Sequence, residues 1–379
     1  MTEQLEVIGA AFQIPGHFAI ASPVKFGHIH DTFAATYREG EIPRRYVHQR
    51  LNHRVFADLA ALMDNVARVT GHQWDLLRSE GARDAERRCL RLVSTREGRP
   101  FHVDDEGGTW RTFVFLEGAR SRDTIEHPAQ AYQVARAFGA FAATLRDLPG
   151  PPLAITIPDF HDLRARYAAF EEALAADSHH RAASVPAEID RAAAWFHELG
   201  QLLAESGFAE LPRRIVHNDC KINNVMLDDV TGEGLCVIDL DTVMADTVLC
   251  DFGELVRTGT SRSPEDEVDL ASICLEIDLF RAATRGYLAG AASLLSGGEV
   301  GILPLAGPVM ALENAVRFLT DHLCGDVYFR IHRKEHNLDR FRAQLRLVEL
   351  MIERRAEMQA IVDETWRSIR AGAGETAEQ

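Results

Sequence analysis

A chain of 379 residues, 46% apolar and 26% charged, is longer than one hydrophobic core usually serves and has the composition of a globular protein, so two lobes are expected. With 57 acidic against 41 basic residues the net charge is −16, which lacks the basic footprint that nucleic acid or an anionic membrane surface calls for. Neither partner is expected.

The N-terminal stretch MTEQLEVIGAAFQIPG has no basic n-region and no long apolar run, so no signal peptide is expected. No segment is expected to be apolar over the length of a membrane span. Strands are expected at 33–37 and 45–50, joined by the polar turn REGEIP and preceded by the loop FGHIHD. A helix follows, with Asp58 as N-cap and Leu59, Leu62, Met63, Val66 and Val69 at helical spacing. Two more strands are expected at 90–94 and 111–116. Strands, one helix, then strands describe a small antiparallel sheet with a helix packed on it.

After LEGARSRD the pattern turns helical. AQAYQVARAFGAFAATLRDL is amphipathic, and the Pro-rich LPGPPLAITIPDF ends it. Further helices are expected at 160–176, 186–204 and 264–288, the last opened by Ser263 as N-cap and Pro264 at the first helical position. Two long helices, 307–324 and 337–369, close the chain. The fold class is therefore expected to be α+β and bilobal: residues 1–117 as a sheet-rich lobe with one helix and residues 118–379 as a larger, mainly helical lobe. The six cysteines form no CxxC pair, and a chain of this size needs no staples, so reduced thiols and a cytoplasmic location are expected. His28 and His30, or His179 and His180, have no second cluster at zinc-like spacing.

The chemistry concentrates in HNDCKINNVMLDDVTGEGLCVIDLDTVMADTVLCDFGE, which starts at His217. NVML and LCVID are two short apolar runs around the turn-rich DDVTGEG, a hairpin signal. Asn224 precedes the first strand and Asp239 closes the second, so antiparallel pairing places them on neighbouring strands about 5 Å apart. An amide oxygen and a carboxylate at one spot suit a hard cation such as magnesium. Asp219 lies five residues before Asn224 and reaches the same place from a loop; there a carboxylate can orient an attacking hydroxyl. Lys221 adds a cation for charge on a transferred group, and His217 is expected to buttress the loop. Asp241 is a candidate assisting metal group. The literal DFG tripeptide begins at Asp251, twenty-seven residues past Asn224, which is a full segment too late for the metal-binding aspartate of the protein-kinase pattern H-R-D-x-x-x-x-N. Asp251 is expected instead to start the next helix or to hydrogen-bond the catalytic loop. The plain alternative is that Asp219, Asn224 and Asp239 merely cap the loops of a hairpin.

By these residues the chain resembles the aminoglycoside phosphotransferase and choline kinase superfamily, whose fold is that of protein kinases, and more closely the N-acetylhexosamine 1-kinases. HNDCKINNVM, CVIDLDTVM, IPDFHD, VRFLTDHLCGDVYF and EHNL look like that family's segments, as do GHIHDTF, YVHQRLNHRVF and LMDNV in the first lobe. The resemblance implies ATP and Mg²⁺, with Asp219 as base, Asn224 and Asp239 on the metal, and Arg317, Tyr328, Asp159 and His161 facing a sugar. It implies nucleotide binding for the lobe of residues 1–117 and catalysis with acceptor binding for the lobe of residues 118–379. It implies transfer of the ATP γ-phosphate to the anomeric hydroxyl of a free N-acetylhexosamine. Arg50 stands where protein kinases carry a strand lysine and is expected on the α- and β-phosphates, with Asp64 as its partner. The phosphate loop has Gly27 alone, so backbone donors near His30–Thr32 are expected to serve. Adenine is expected against Val47 and the linker, including Phe115 and Glu117. The alternatives are a kinase of the same fold with another hydroxyl acceptor, such as an aminoglycoside or amino alcohol, and a nucleotide-binding protein without turnover.

Overall fold

In the computed structural model, which describes residues 2–24 and 29–377, the chain opens with α1 (Thr2–Ala10), β1 (His17–Pro23), β2 (Asp31–Glu39) and β3 (Ile42–Arg50). Gly27 lies outside the described residues. Next come α2 (Leu59–Ser79), the single turn α3 (Ala85–Arg88), β4 (His102–Val103) and β5 (Thr109–Val114). The five strands form one antiparallel sheet in the order β1-β2-β3-β5-β4. Asp58 caps α2 as expected, its carboxylate accepting the Ala61 amide at 2.9 Å. The strand expected at 90–94 is reduced to one bridge, Leu92 to Phe113. Its continuation is diverted because the Ser94 carbonyl accepts from Gln13 and Thr95 pairs with Phe12 of the N-terminal segment.

Both faces of this sheet are buried. Ala35, Tyr37, Tyr46 and Trp110 pack under Leu5 and Ile8 of α1 and the following Phe12 and Ile14. That cover was not expected from the sequence. The opposite face carries Val47 and Phe113 and packs with Met63 and Val66 of α2 into the main core. Strand alternation assigns the rest: Tyr46, His48 and Arg50 share the outer face, and Val47 and Gln49 the inner one.

The second part begins with β6 (Ala119–Arg120) and the helices α4 (Pro128–Thr144), α5 (Leu163–Ala176) and α6 (Pro186–Glu205). The strands β7 (Arg214–Val216), β8 (Val225–Asp228), β9 (Gly234–Val237) and β10 (Met244–Asp246) make two small sheets, β6-β8-β9 and β7-β10. The chain ends in α7 (Val248–Gly259), α8 (Ile277–Ala291), α9 (Gly297–Leu323), α10 (His336–Glu353) and α11 (Arg355–Ala377). A sheet-rich first part and a mainly helical second part make the fold a kinase-like α+β fold.

Three expectations need correction. The helix placed at 264–288 starts only at Ile277; residues before it form turns. The acids that follow Pro264 are drawn apart by separate partners, Glu265 to Arg257 and Asp266 to Arg333 and His336. The terminal helix breaks at Arg354, giving α10 and α11. Among the described residues one helix, α9, is long and apolar enough to cross a membrane, but 89% of its apolar window is buried inside the protein, so it is the core helix of the second part. Close packing there rests on glycine. A Cβ at Gly139 of α4 would lie 2.4 Å from the Tyr287 carbonyl of α8, so only hydrogen lets these helices approach.

Candidate active site

The β8–β9 hairpin pairs Val225 with Val237, and the Ile238 amide donates to the Asn224 carbonyl at 2.9 Å. This brings Asn224 and Asp239 together at the hairpin's open end. Asp239 has φ +62°, a left-handed conformation that turns the chain out of β9 into the short helical turn Leu240–Thr242. The Asn224 amide nitrogen donates to the Asp219 carbonyl (2.9 Å) and carboxylate (3.1 Å), and its oxygen has no hydrogen-bond partner among the described residues. The Asp219 carboxylate also meets Lys221 Nζ at 2.6 Å. Burial, the largest single influence, pushes the Asp219 carboxyl up, but the Lys221 ammonium together with His217 and the Asn224 amide outweighs it and holds the carboxyl below its ordinary range. Lys221, although disfavoured as a cation by the same burial, is held more strongly protonated by Asp219.

Asp239 opens onto the cleft and has neither hydrogen bond nor ion pair among the described residues. Loss of solvent, followed by the charges of Asp241 and Asp219, raises its pKa to about 6. A carboxylate without counter-ion, beside a free amide oxygen, fits a hard divalent cation that shares its remaining ligands with phosphate and water. Among the described residues no group of three His, Cys, Asp or Glu side chains is placed to hold a metal alone, so the fit depends on such shared ligands.

His217 is fully buried between Phe138 and Phe141. Its Nε2 donates to the Ile238 carbonyl (2.9 Å) and its Nδ1 accepts the Asp219 amide (3.2 Å), so it braces the loop against the hairpin. Asp251 sits in the first turn of α7, and its carboxylate accepts the amides of His217 (3.0 Å) and Asn218 (2.7 Å). Phe252 is fully buried against Phe280 and Tyr287. A Cβ on Gly253 would lie 2.5 Å from the Ala306 carbonyl of α9. Each residue of the literal DFG thus has a packing or bracing task inside a helix.

The nucleotide side differs from expectation. Arg50 lies on the outer face of the sheet, its guanidinium beside Asp104 and Gly108. Asp64 is exposed on α2, 3.9 Å from Arg68. The two do not meet. On the inner face the β3 position is Gln49, paired with Arg111 of β5. Gln49 Nε2 donates to Thr32 Oγ1 (3.1 Å), while its Oε1 accepts Arg111 Nε (2.9 Å). Arg111 is buried and grips both oxygens of Asp241, so Asp241 serves an ion pair rather than lying open beside Asp239. Val47 lies on the inner face. In the linker, the Glu117 carboxylate pairs with Arg45, whose guanidinium covers the Phe115 ring at 3.8 Å. The Phe115 carbonyl and the Glu117 amide make no hydrogen bond among the described residues.

On the acceptor side, His161 Nε2 donates to the Asn218 carbonyl at 2.7 Å, linking this loop to Asp219. Glu313 of α9 is buried, with Arg166 at 3.4 Å, Arg317 at 3.5 Å and His161 Nδ1 at 3.6 Å. Glu313 Oε1 and His161 Nδ1 are buried without a hydrogen bond. Burial disfavours charge on both, yet His161 is raised by Glu313, and Glu313 is lowered by Arg317, His161 and Arg166. The Arg317 guanidinium lies within 6.0 Å of the Phe160, Tyr328 and Phe329 rings. Asp321 gathers the amides of Val327, Tyr328 and Phe329 (2.8–3.0 Å), which shapes the loop that presents Tyr328. Asp159 has φ +51° directly before Phe160 and His161, and its charge acts on Arg166. The sequence reading missed Gln49, Arg111, Arg166 and Glu313. Arg111 in the strand TWRTFV and Glu313 in the most apolar helix were signals, because a charge in such surroundings needs a partner.

Residues 73–274 match the phosphotransferase enzyme family APH, and the chain belongs to it. It is a phosphotransferase. The fold is shared with an aminoglycoside phosphotransferase from Alicyclobacillus acidocaldarius, 14% identical, TM-score 0.59, with 96% of each chain covered. It is shared too with a choline kinase from Cryptosporidium parvum, 15% identical, TM-score 0.54, with 93% of this chain and 96% of that one covered. A spectinomycin phosphotransferase solved with ADP and spectinomycin is 13% identical, TM-score 0.53, with 93% of this chain and 99% of that one covered.

Proposed function

We propose that the protein transfers the γ-phosphate of ATP, with Mg²⁺, to the anomeric hydroxyl of a free N-acetylhexosamine, giving a sugar 1-phosphate. The nucleotide lies in the cleft between the five-stranded sheet and the β8–β9 hairpin. Its adenine rests on Val47, and the free carbonyl of Phe115 and amide of Glu117, two residues apart, offer it one acceptor and one donor. The neighbour solved with ADP supports this choice of cofactor. Asn224 and Asp239 hold the metal, which neutralises charge on the phosphates. Asp219, kept ionised by Lys221, accepts the proton of the attacking hydroxyl, an easier task for an anomeric hydroxyl than for an ordinary alcohol.

The observation that carries the sugar over other acceptors is the charge of the acceptor side. Arg166, Arg317 and a raised His161 converge on one carboxylate, Glu313. A polycationic aminoglycoside or an amino alcohol would meet like charge there. A neutral sugar instead offers hydroxyls to the guanidiniums, which the buried Glu313 orients, and apolar ring faces to Phe160 and Tyr328. The test is ADP release with ATP and Mg²⁺ against GlcNAc, GalNAc, ethanolamine, choline and an aminoglycoside panel, with the phosphate position read by phosphorus NMR. A 1-phosphate of either N-acetylhexosamine is expected. Release with an amino alcohol or aminoglycoside and neither sugar would overturn the acceptor assignment.

A further inference from the structure

Arg111 is the one buried charged side chain among the described residues of the first 117. It stands on the inner face of β5, and the helix that faces it supplies no carboxylate: the α2 group in reach is the Met63 sulfur, 4.0 Å from Nη1. Its counter-ion comes from across the cleft. Nη1 bonds Asp241 Oδ1, and Nη2 bonds Oδ2 at 2.9 Å. Oδ2 also accepts His30 Nε2 at 2.6 Å, and the Asn52 amide donated to His30 Nδ1 at 3.1 Å fixes that tautomer. Asp241 is therefore held by three donors, all from the sheet side. Through Gln49 and Thr32 the same guanidinium is tied to β3 and β2.

On the other side of Asp241 the bonds run into the catalytic loop. The Asp241 carbonyl accepts Thr156 Oγ1 at 2.9 Å, and Thr242 Oγ1 donates to the His217 carbonyl at 2.7 Å. Asn218 Nδ2 returns a bond to the Thr242 carbonyl at 3.0 Å. Asp239 and Asp219 thus sit at the two ends of a short bonded path that Asp241 anchors.

We infer that Arg111, seconded by His30, is a positioning residue: it holds Asp241 out of the metal's ligand set and so fixes the turn that aims Asp239. The pair joins the nucleotide sheet to the metal-binding loop with a strand-β5 cation, where a cation from β3 was expected. This rests on the proposed metal role of Asn224 and Asp239.

The test uses the full chain and ADP, measured calorimetrically with Mg²⁺ and with EDTA, beside thermal unfolding and the Mg²⁺ dependence of turnover. Arg111→Met and the double variant Arg111→Met/Asp241→Leu are compared, the second leaving no lone buried charge. In the double variant ADP binding in EDTA should stay within about threefold of wild type, and the gain from Mg²⁺ should fall tenfold or more. Arg111→Lys, which keeps the charge and loses the fork, should recover part of that gain. A folded double variant with the wild-type Mg²⁺ gain overturns the positioning role. Tighter Mg²⁺ binding in Arg111→Met overturns it also, because the metal site would then be complete without the pair and the aim of Asp239 would not depend on it. A wild type indifferent to Mg²⁺ overturns instead the reading of Asn224 and Asp239 on which the inference rests.

Discussion

Replacing Asp251 with alanine separates the brace of the catalytic loop from the metal site. The carboxylate is fully buried and accepts two backbone amides, at 3.0 and 2.7 Å. Hydrogen bonds to a charged group are worth roughly 1.5–3 kcal/mol each, so the two contribute about 4 kcal/mol. Against this stands the burial of the carboxylate, which raises its pKa and is relieved by the substitution. The expected net loss is about 3 kcal/mol, or a fall in Tm of roughly 5 °C for a chain of this size. The freed amides belong to His217 and Asn218, and Asn218 has φ +65°, a conformation that the brace helps to hold. Misplacing Asp219 by ~1 Å would cost on the order of 100-fold in kcat. Asn224 and Asp239 are held by the hairpin, so half-saturation by Mg²⁺ should stay within about twofold of wild type. Turnover is measured across an Mg²⁺ titration, with thermal unfolding in parallel. An Asp251→Ala protein that melts like wild type but needs at least tenfold more Mg²⁺ would mean that the DFG carboxylate is the metal ligand, and the spacing argument would fail.

Asp219→Asn keeps the shape and removes the base; transfer should drop by about 10³-fold while ADP binds within about twofold of wild type, and calorimetry beside turnover checks both. Unchanged turnover would remove Asp219 from the mechanism. For His161 the folded pKa lies above the ordinary imidazole value, so its pairing with Glu313 adds stability that is complete below about pH 6.5 and is lost as pH rises through the folded pKa. The Tm difference between wild type and His161→Asn should therefore be larger at pH 6 than at pH 8.5, and a difference that grows with pH would contradict the pairing.

What the sequence disclosed and what it hid follow from how local each constraint is. The pairing of Asn224 with Asp239 was legible because a hairpin sets its own register over a few residues. The same spacing sets Asp239, not Asp251, one hairpin after Asn224. The helix start at Asp58 was legible for a similar reason, a cap being a contact over three residues. The breakdown of the helix expected at 264–288 was not, since it depends on Arg257 and Arg333 competing for neighbouring acids. The nucleotide side shows the limit most sharply. A strand buried on one face declares that face by alternation, but β3 is covered on both, by the α1 segment outside and α2 inside. Alternation then does not say which of Gln49 and Arg50 looks into the cleft, and one residue of offset exchanges the faces. What resolves it is Arg111. A guanidinium inside a strand with no outward route must find a carboxylate, and none of the acids near it in sequence lies on its face of the sheet. The partner had to come from another part of the chain, and the acids available at the cleft were those of the DLD turn. Asp239 has no such donor, Asp241 has three, and that asymmetry is what distinguishes the open carboxylate from the anchored one.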